Sequence, residues 1–193
     1  MTPDEDRSSI QKYMRTFRQY HRKIAPIVFL PLLATALTGI LYRLGQSWFD
    51  IPGGIAELLM VIHQGEFLGE PLVPIYVLLL GLGLLVMILT GLTLMRRRSS
   101  QQKLNSRKLH QWLTPILFLP LAISAVTGIL YRLGKSWFGL PDQQAAIFLR
   151  IHQGTYLGSF FRIIYVLLIG AGLIALLITG ISMTGIFRRR RQA

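Results

Sequence analysis

The side chains best suited to chemistry in this 193-residue chain are its four histidines, His21, His63, His110 and His152. They form two pairs with one spacing, because 110 − 21 and 152 − 63 both equal 89. Imidazole is the commonest metal ligand in proteins and also transfers protons near neutral pH. Cysteine is absent, which excludes thiolate metal sites, iron–sulfur clusters and covalently attached c-type haem. The pattern therefore points to chemistry performed by paired imidazoles.

The spacing of 89 belongs to a tandem repeat of the sequence. Residues 21–95 align with residues 110–184 without a gap, and 37 of these 75 positions are identical. The segments 38–45 and 127–134 share all eight residues. Chance does not produce such a match, so the chain is a duplication and each histidine has an equivalent in the other copy.

Charged residues are missing from four segments of 19, 25, 23 and 25 residues, which are 24–42, 71–95, 109–131 and 163–187. A helix needs about 20 residues to cross a hydrocarbon core of ~30 Å. We therefore predict an all-α integral membrane protein and exclude a soluble globular domain. The predicted fold is a four-helix bundle of two tandem two-helix repeats, related by a pseudo-two-fold axis along the membrane normal.

The first of these segments could also be a cleaved signal peptide. It is too long for a typical signal sequence, and a near copy of it recurs in mid-chain, where nothing could be cleaved. We therefore interpret it as a membrane span. The repeat then divides the chain into a tail (1–17), repeat 1 (18–95, outer connector 43–70), a basic connector (96–106), repeat 2 (107–187, outer connector 132–162) and a second tail (188–193).

The net charge of +13 is concentrated on one predicted side of the membrane. Segments 1–23, 96–108 and 188–191 hold 16 of the 21 basic residues with three acidic ones, and 16 − 3 gives the whole excess. The positive-inside rule makes this side cytoplasmic, with both termini on it. The charge is thus a topology signal and predicts no nucleic-acid partner. We expect a multi-pass protein of the bacterial inner (plasma) membrane, with an internal photosynthetic membrane as the alternative.

The repeat places the histidines at two depths. His21 and His110 lie at the cytoplasmic entries of the first and third spans, whereas His63 and His152 end short helices predicted over 55–63 and 145–152 in the outer connectors. One interpretation is headgroup contact or an ordinary satisfied polar role. The other is axial ligation of two b-type haems, since a haem iron can take an imidazole on each face of its ring.

Other residues fit both interpretations. Tyr42 and Arg43, repeated as Tyr131 and Arg132, could bind haem propionates or form an aromatic belt with snorkelling arginines. Glycines that recur in the spans could admit a macrocycle or simply allow close helix packing; they are Gly39, Gly81, Gly83 and Gly91 with Gly128, Gly170, Gly172 and Gly180. No Asp or Glu lies in a predicted span, which argues against ion-coupled transport.

Two motifs carry a resemblance to a known family. A histidine leads into a span that closes with Thr-Gly, and then follow His63-Gln-Gly-Glu-Phe-Leu-Gly69 and, in the second copy, His152-Gln-Gly-Thr-Tyr-Leu-Gly158. From about residue 18 to 187 the chain resembles the PepSY-associated transmembrane family, whose members include haem-containing inner-membrane reductases linked to ferric siderophore uptake. The resemblance implies haem-ligand roles for all four histidines. The outer connectors are too short for the extracytoplasmic PepSY domain that many members carry.

The sequence thus predicts a protein that binds two haem b groups through His21, His63, His110 and His152. It would carry electrons across the lipid bilayer from a cytoplasmic donor to an extracytoplasmic acceptor, as a reductase does. The alternative is a non-enzymatic accessory or assembly subunit of a larger membrane complex, which binds another tetrapyrrole or no cofactor.

Overall fold

Helices make up nearly the whole of the described chain. The computed structural model describes residues 3–95 and 105–184, and the side chains of 11–95 and 105–184. The helices are α1 (Pro3–Leu44), α2 (Gly53–Gln64), α3 (Leu72–Thr93), α4 (Ser106–Ser136), α5 (Asp142–Gln153) and α6 (Gly158–Thr184). Within these two ranges there is no strand, so the all-α prediction is confirmed. Most of the basic connector predicted over 96–106, and the tail over 188–193, lie outside the described residues.

Four helical stretches are long and apolar enough to cross a membrane, namely Gln11–Phe49, Leu72–Thr93, Ser106–Ser136 and Thr155–Thr184. Large apolar side chains along them point away from the protein, and Ile27, Leu79 and Leu168 are 73%, 65% and 64% exposed. Apolar surface of this extent is unfavourable in water and suits a lipid environment. The four stretches indicate a multi-pass membrane protein.

The long helices form a bundle in which each copy of the repeat contributes two adjacent helices, α1 with α3 and α4 with α6. α1 packs against α3 and α6, and α4 packs against the same two helices, so α1 and α4 lie at opposite corners. Glycines permit the close approach between copies. A Cβ on Gly81 of α3 would lie 2.6 Å from the Ile129 side chain of α4, and one on Gly170 of α6 would lie 2.6 Å from Ile40 of α1. Backbones can approach closely only where such small residues face the neighbouring helix.

The short helices α2 and α5 cap one end of the bundle, which we call the α2/α5 end. α2 packs on α1, and α5 packs on α4. Each short helix ends at a glycine in the left-handed region, Gly65 at φ 75° and Gly154 at φ 66°. Added side chains there would also collide with the rings of Tyr76 and Tyr165. Glycine therefore lets the chain reverse tightly and enter the next long helix.

Candidate functional site

A cavity of about 330 Å³ lies within the α2/α5 end of the bundle. All six helices contribute to its walls, and its 30 lining residues are 15 pairs of positions separated by 89. Its volume falls within the range of cofactor and small-molecule sites. Equivalent positions of the two sequence copies thus surround one shared space.

His63 and His152 meet in this cavity. Their ring centroids are 6.4 Å apart, and the ring planes are inclined at 64°. Imidazole–metal bonds are about 2.0–2.1 Å, so two nitrogens that bind one metal from opposite sides are about 4 Å apart. Adding roughly 1 Å on each side, from nitrogen to ring centre, gives a centroid separation of about 6 Å. The observed spacing therefore suits two imidazoles that share one metal.

Hydrogen bonds fix which nitrogen of each ring is available. Nδ1 of His63 lies 2.8 Å from the carbonyl oxygen of Thr35, and Nδ1 of His152 lies 2.9 Å from that of Ser124. A carbonyl oxygen can only accept, so both Nδ1 atoms carry the proton and donate it. Nε2 keeps its lone pair, and over the described part of the chain it has no hydrogen-bond partner in either ring. A second ring nitrogen held in this way is the usual arrangement of a metal-bound histidine.

The protonation state of His63 and His152 also suits metal binding. Burial, and to a smaller extent the neighbouring His152, lower the pKa of His63 to about 4 against the opposing effect of the hydrogen bond to Thr35. Burial likewise lowers the pKa of His152, against the opposing bond to Ser124. Both rings are therefore neutral at pH 7, the form in which imidazole binds metals.

Glycines of the long helices provide the space for both rings. A Cβ added to Gly39 of α1 would lie 2.9 Å from Cε1 of His63, and one added to Gly128 of α4 would lie 3.2 Å from Cε1 of His152. Real Cβ contacts are seldom this short. These recurring glycines therefore serve to seat the two histidines, in addition to any role in helix packing.

His21 and His110 have a matching arrangement at the opposite end of the bundle. Nδ1 of His21 lies 2.8 Å from Oγ1 of Thr90, and Nδ1 of His110 lies 2.9 Å from Oγ1 of Thr179. The Thr90 hydroxyl donates its own proton to the carbonyl of Val86 at 2.6 Å, so it accepts from His21. Thr179 donates in the same way to an α6 carbonyl. Nδ1 is thus the donor in all four histidines.

These two histidines lie near one another without ring contact. The position of a Cβ on Gly91 is 3.6 Å from Cε1 of His21 and 3.8 Å from Cγ2 of Thr114. Thr114 is one helical turn beyond His110 and donates to its carbonyl at 2.7 Å. The structure therefore brings His63 and His152 into contact, and it places His21 beside the turn of α4 that carries His110.

The predicted tyrosines and arginines line the cavity as well, and they are Tyr42, Arg43, Tyr131 and Arg132. Their surroundings differ between the copies. Arg132 donates to Oε1 of Gln64 at 2.6 Å and forms an ion pair with Glu66 at 3.0 Å. The side chain of Arg43 has neither a hydrogen bond nor an ion pair with any residue that the structure describes. The two arginines are equivalent in sequence but not in environment.

Three residues of the site were not singled out from the sequence. Gln64 and Gln153 follow the two histidines directly and line the cavity, and the guanidinium of Arg162 donates to Oε1 of Gln153 at 2.5 Å. The glutamines carried a usable signal, since both belong to the repeated His-Gln-Gly motif. Arg162 carried none, because Val73 stands at the equivalent position of the first copy.

The donor set favours one kind of metal. The described side chains include no group of three or more His, Cys, Asp and Glu that could hold an ion. Zinc sites take three or four protein ligands, so a histidine pair alone is a poor zinc site. Two opposed imidazoles instead fit a metal that brings four ligands of its own, as the iron of a haem does. The residues present therefore fit a haem.

Comparison with known proteins assigns no family. No protein-family model, no curated protein and no solved structure matches this chain. The geometry of the four histidines is accordingly the main guide to function.

Proposed function

We propose that this protein is a di-haem b-type membrane protein that carries electrons between a cytoplasmic donor and an extracytoplasmic acceptor, like members of the PepSY-associated transmembrane family that it resembles. The observation that carries the proposal is the His63–His152 pair, with centroids 6.4 Å apart and both Nε2 atoms free. These two residues would hold one haem, and His21 with His110 would hold the other. Bound haem supplies one-electron redox chemistry.

The separation of the two sites supports a path across the bilayer. Thr35, which holds His63, lies 14 residues beyond His21 on α1. At 1.5 Å per residue this is about 21 Å along the helix. One site would then lie near each face of a hydrocarbon core of ~30 Å. The basic segments favour the cytoplasmic side for His21 and His110, and the 15 residue pairs around the cavity suit a pseudo-two-fold axis along the membrane normal.

The chain itself would orient the ligands and keep them dry. Each Nδ1–H is held by an oxygen, so the rings are fixed before any metal binds. Held imidazoles lose little freedom on binding and are stronger ligands. The apolar helices exclude water, which favours the neutral form of the imidazoles. They would also enclose the haem, so that only electron donors and acceptors close to it could react with it.

The visible spectrum of the full-length protein tests this function directly. We expect two haems per chain, a Soret band, and alpha and beta bands on reduction that are typical of six-coordinate low-spin iron. A colourless protein would rule out the proposal. A five-coordinate spectrum or a bound chlorophyll would favour the alternative, an accessory subunit that binds another tetrapyrrole through single histidines.

Thr90→Val should weaken the site that contains His21. The substitution removes the oxygen that accepts from Nδ1 of His21, while the shape of the side chain is nearly kept. Loss of such a supporting hydrogen bond usually costs roughly 10- to 100-fold in metal affinity. Haem titration of the apoprotein measures it. Thr90→Ser should restore binding, and Thr93→Val, which removes a hydroxyl that only donates to the Thr90 carbonyl, is the matched control. Equal affinities in all four proteins would contradict the role of Thr90.

A further inference from the structure

The charged residues in and around the cavity wall differ between the two copies, although the positions that line the cavity are symmetric. Two differences between the copies produce this. Glu66, the ion-pair partner of Arg132, is replaced by Thr155 at the equivalent position, and Val73 is replaced by Arg162. Both differences shift positive charge to the side of Arg43.

Arg43 lacks the partners that its equivalent has. Gln64 accepts a hydrogen bond from Arg132, so the repeat predicts that Gln153 accepts one from Arg43. Gln153 instead accepts from Arg162. Arg43 is half-buried and unpaired among the described side chains, and Arg162 is close enough to interact with it electrostatically. Nε of Arg162 is also buried without a partner in the described structure. Two neighbouring cations in such a place are unfavourable unless an anion neutralises them.

A count of charges indicates the size of that anion. Arg43, Arg132 and Arg162 contribute three positive charges, and the one carboxylate bonded to any of them in the described residues is Glu66. The remainder is two positive charges, both on the Arg43 side. Haem b carries two propionate carboxylates on one edge of its ring, and arginine is well suited to bind carboxylates in pairs of hydrogen bonds.

We propose that Arg43 and Arg162 form the carboxylate-binding edge of the cavity, so that a haem held by His63 and His152 binds with both propionates on this side and in a single orientation. The inference rests on the proposed function. It goes beyond that function because the histidine pair alone would accept a haem equally well with its propionates on either side. Arg162 is then a positioning residue that breaks the symmetry of the duplicated site.

Comparison of haem with a haem whose propionates are blocked distinguishes propionate binding by Arg43 and Arg162 from a merely structural role of these arginines. The full chain, prepared without haem, is titrated with iron protoporphyrin IX and with its dimethyl ester, which has the same ring and iron but no carboxylates. For the wild-type site at His63 and His152 we expect the acid to bind roughly 10- to 100-fold more tightly than the ester, as loss of charge-assisted hydrogen bonds implies.

Arg162→Val, which installs the residue of the first copy, should reduce this preference for the acid by about tenfold or more and leave the affinity for the ester unchanged. Arg43→Gln should act in the same direction and provides a second test if Arg162→Val does not fold. Arg150→Val is the matched control, since Arg150 is an exposed arginine of α5 whose side chain, unlike that of Arg162, bonds to no described residue of the cavity wall, and it should keep the full preference.

Two failures are distinguishable. If the wild-type protein binds neither haem nor its ester, the proposed function falls and this inference with it. If haem binds, but acid and ester bind equally well or the preference is unchanged in both Arg162→Val and Arg43→Gln, the proposed function stands and the carboxylate-binding edge is overturned.

Discussion

His63→Ala should remove one of the two haems and leave the spectrum of the other intact. The substitution takes away one of two imidazoles that face each other at a centroid distance of 6.4 Å, and no other described histidine contacts this pair. The single remaining imidazole, that of His152, would hold a haem far more weakly than the pair does. We expect the haem content to fall from two to one per chain, measured as the pyridine haemochrome relative to protein.

The pairing makes a sharper prediction than the loss itself. His152→Ala should remove the same haem as His63→Ala, and the double variant should lose no more, because residues that act on one ligand are not additive. His21→Ala and His110→Ala should remove the other haem. Met60→Ala, which enlarges the same cavity from α2 without removing a histidine, should retain both haems. If His63→Ala and His152→Ala remove different haems, the pairing by depth is wrong.

Much of the architecture was accessible from the sequence because it depends on local composition. The charge-free windows lie largely within four long apolar helices, since apolar length alone decides whether a helix suits a bilayer. The short helices predicted over 55–63 and 145–152 are present as α2 and α5. The spacing of 89 also predicts that His63 and His152 lie together, because parallel copies keep equivalent residues at one depth.

The supporting contacts were not accessible in the same way. His63 and His152 are held by backbone carbonyls of Thr35 and Ser124, and a backbone acceptor leaves no trace in residue identity. The sequence shows that the Thr-Gly pairs recur but not that the threonine at 90 holds His21. The partner of Arg162 depends on how the turn between α5 and α6 brings Gln153 towards Arg162, and no repeat pattern reports it. Each of these depends on tertiary placement.

Gly39→Ala should displace His63 and weaken haem binding at its site, although the substitution removes no histidine. The new Cβ would lie 2.9 Å from Cε1 and 3.2 Å from Nδ1 of the ring, so the ring must move. The movement strains the 2.8 Å bond from Nδ1 to the Thr35 carbonyl and takes Nε2 away from His152. We expect a loss of haem affinity at this site of roughly 10- to 100-fold, comparable to removal of a supporting contact.

The four glycines that face histidines form an internal series for this prediction. The distance from the added Cβ to Cε1 of the ring rises from 2.9 Å at Gly39 to 3.2 Å at Gly128, 3.4 Å at Gly180 and 3.6 Å at Gly91. The loss of affinity should decline in that order, and Gly91→Ala should be close to neutral because 3.6 Å is ordinary contact. Gly54→Ala, with nothing within 4 Å of its added Cβ, is the control and should leave haem binding unchanged. Haem affinity should follow the distance from the added Cβ to the ring only if the glycine leaves space for the histidine. Equal effects at all four positions would therefore mean that these glycines serve helix packing alone.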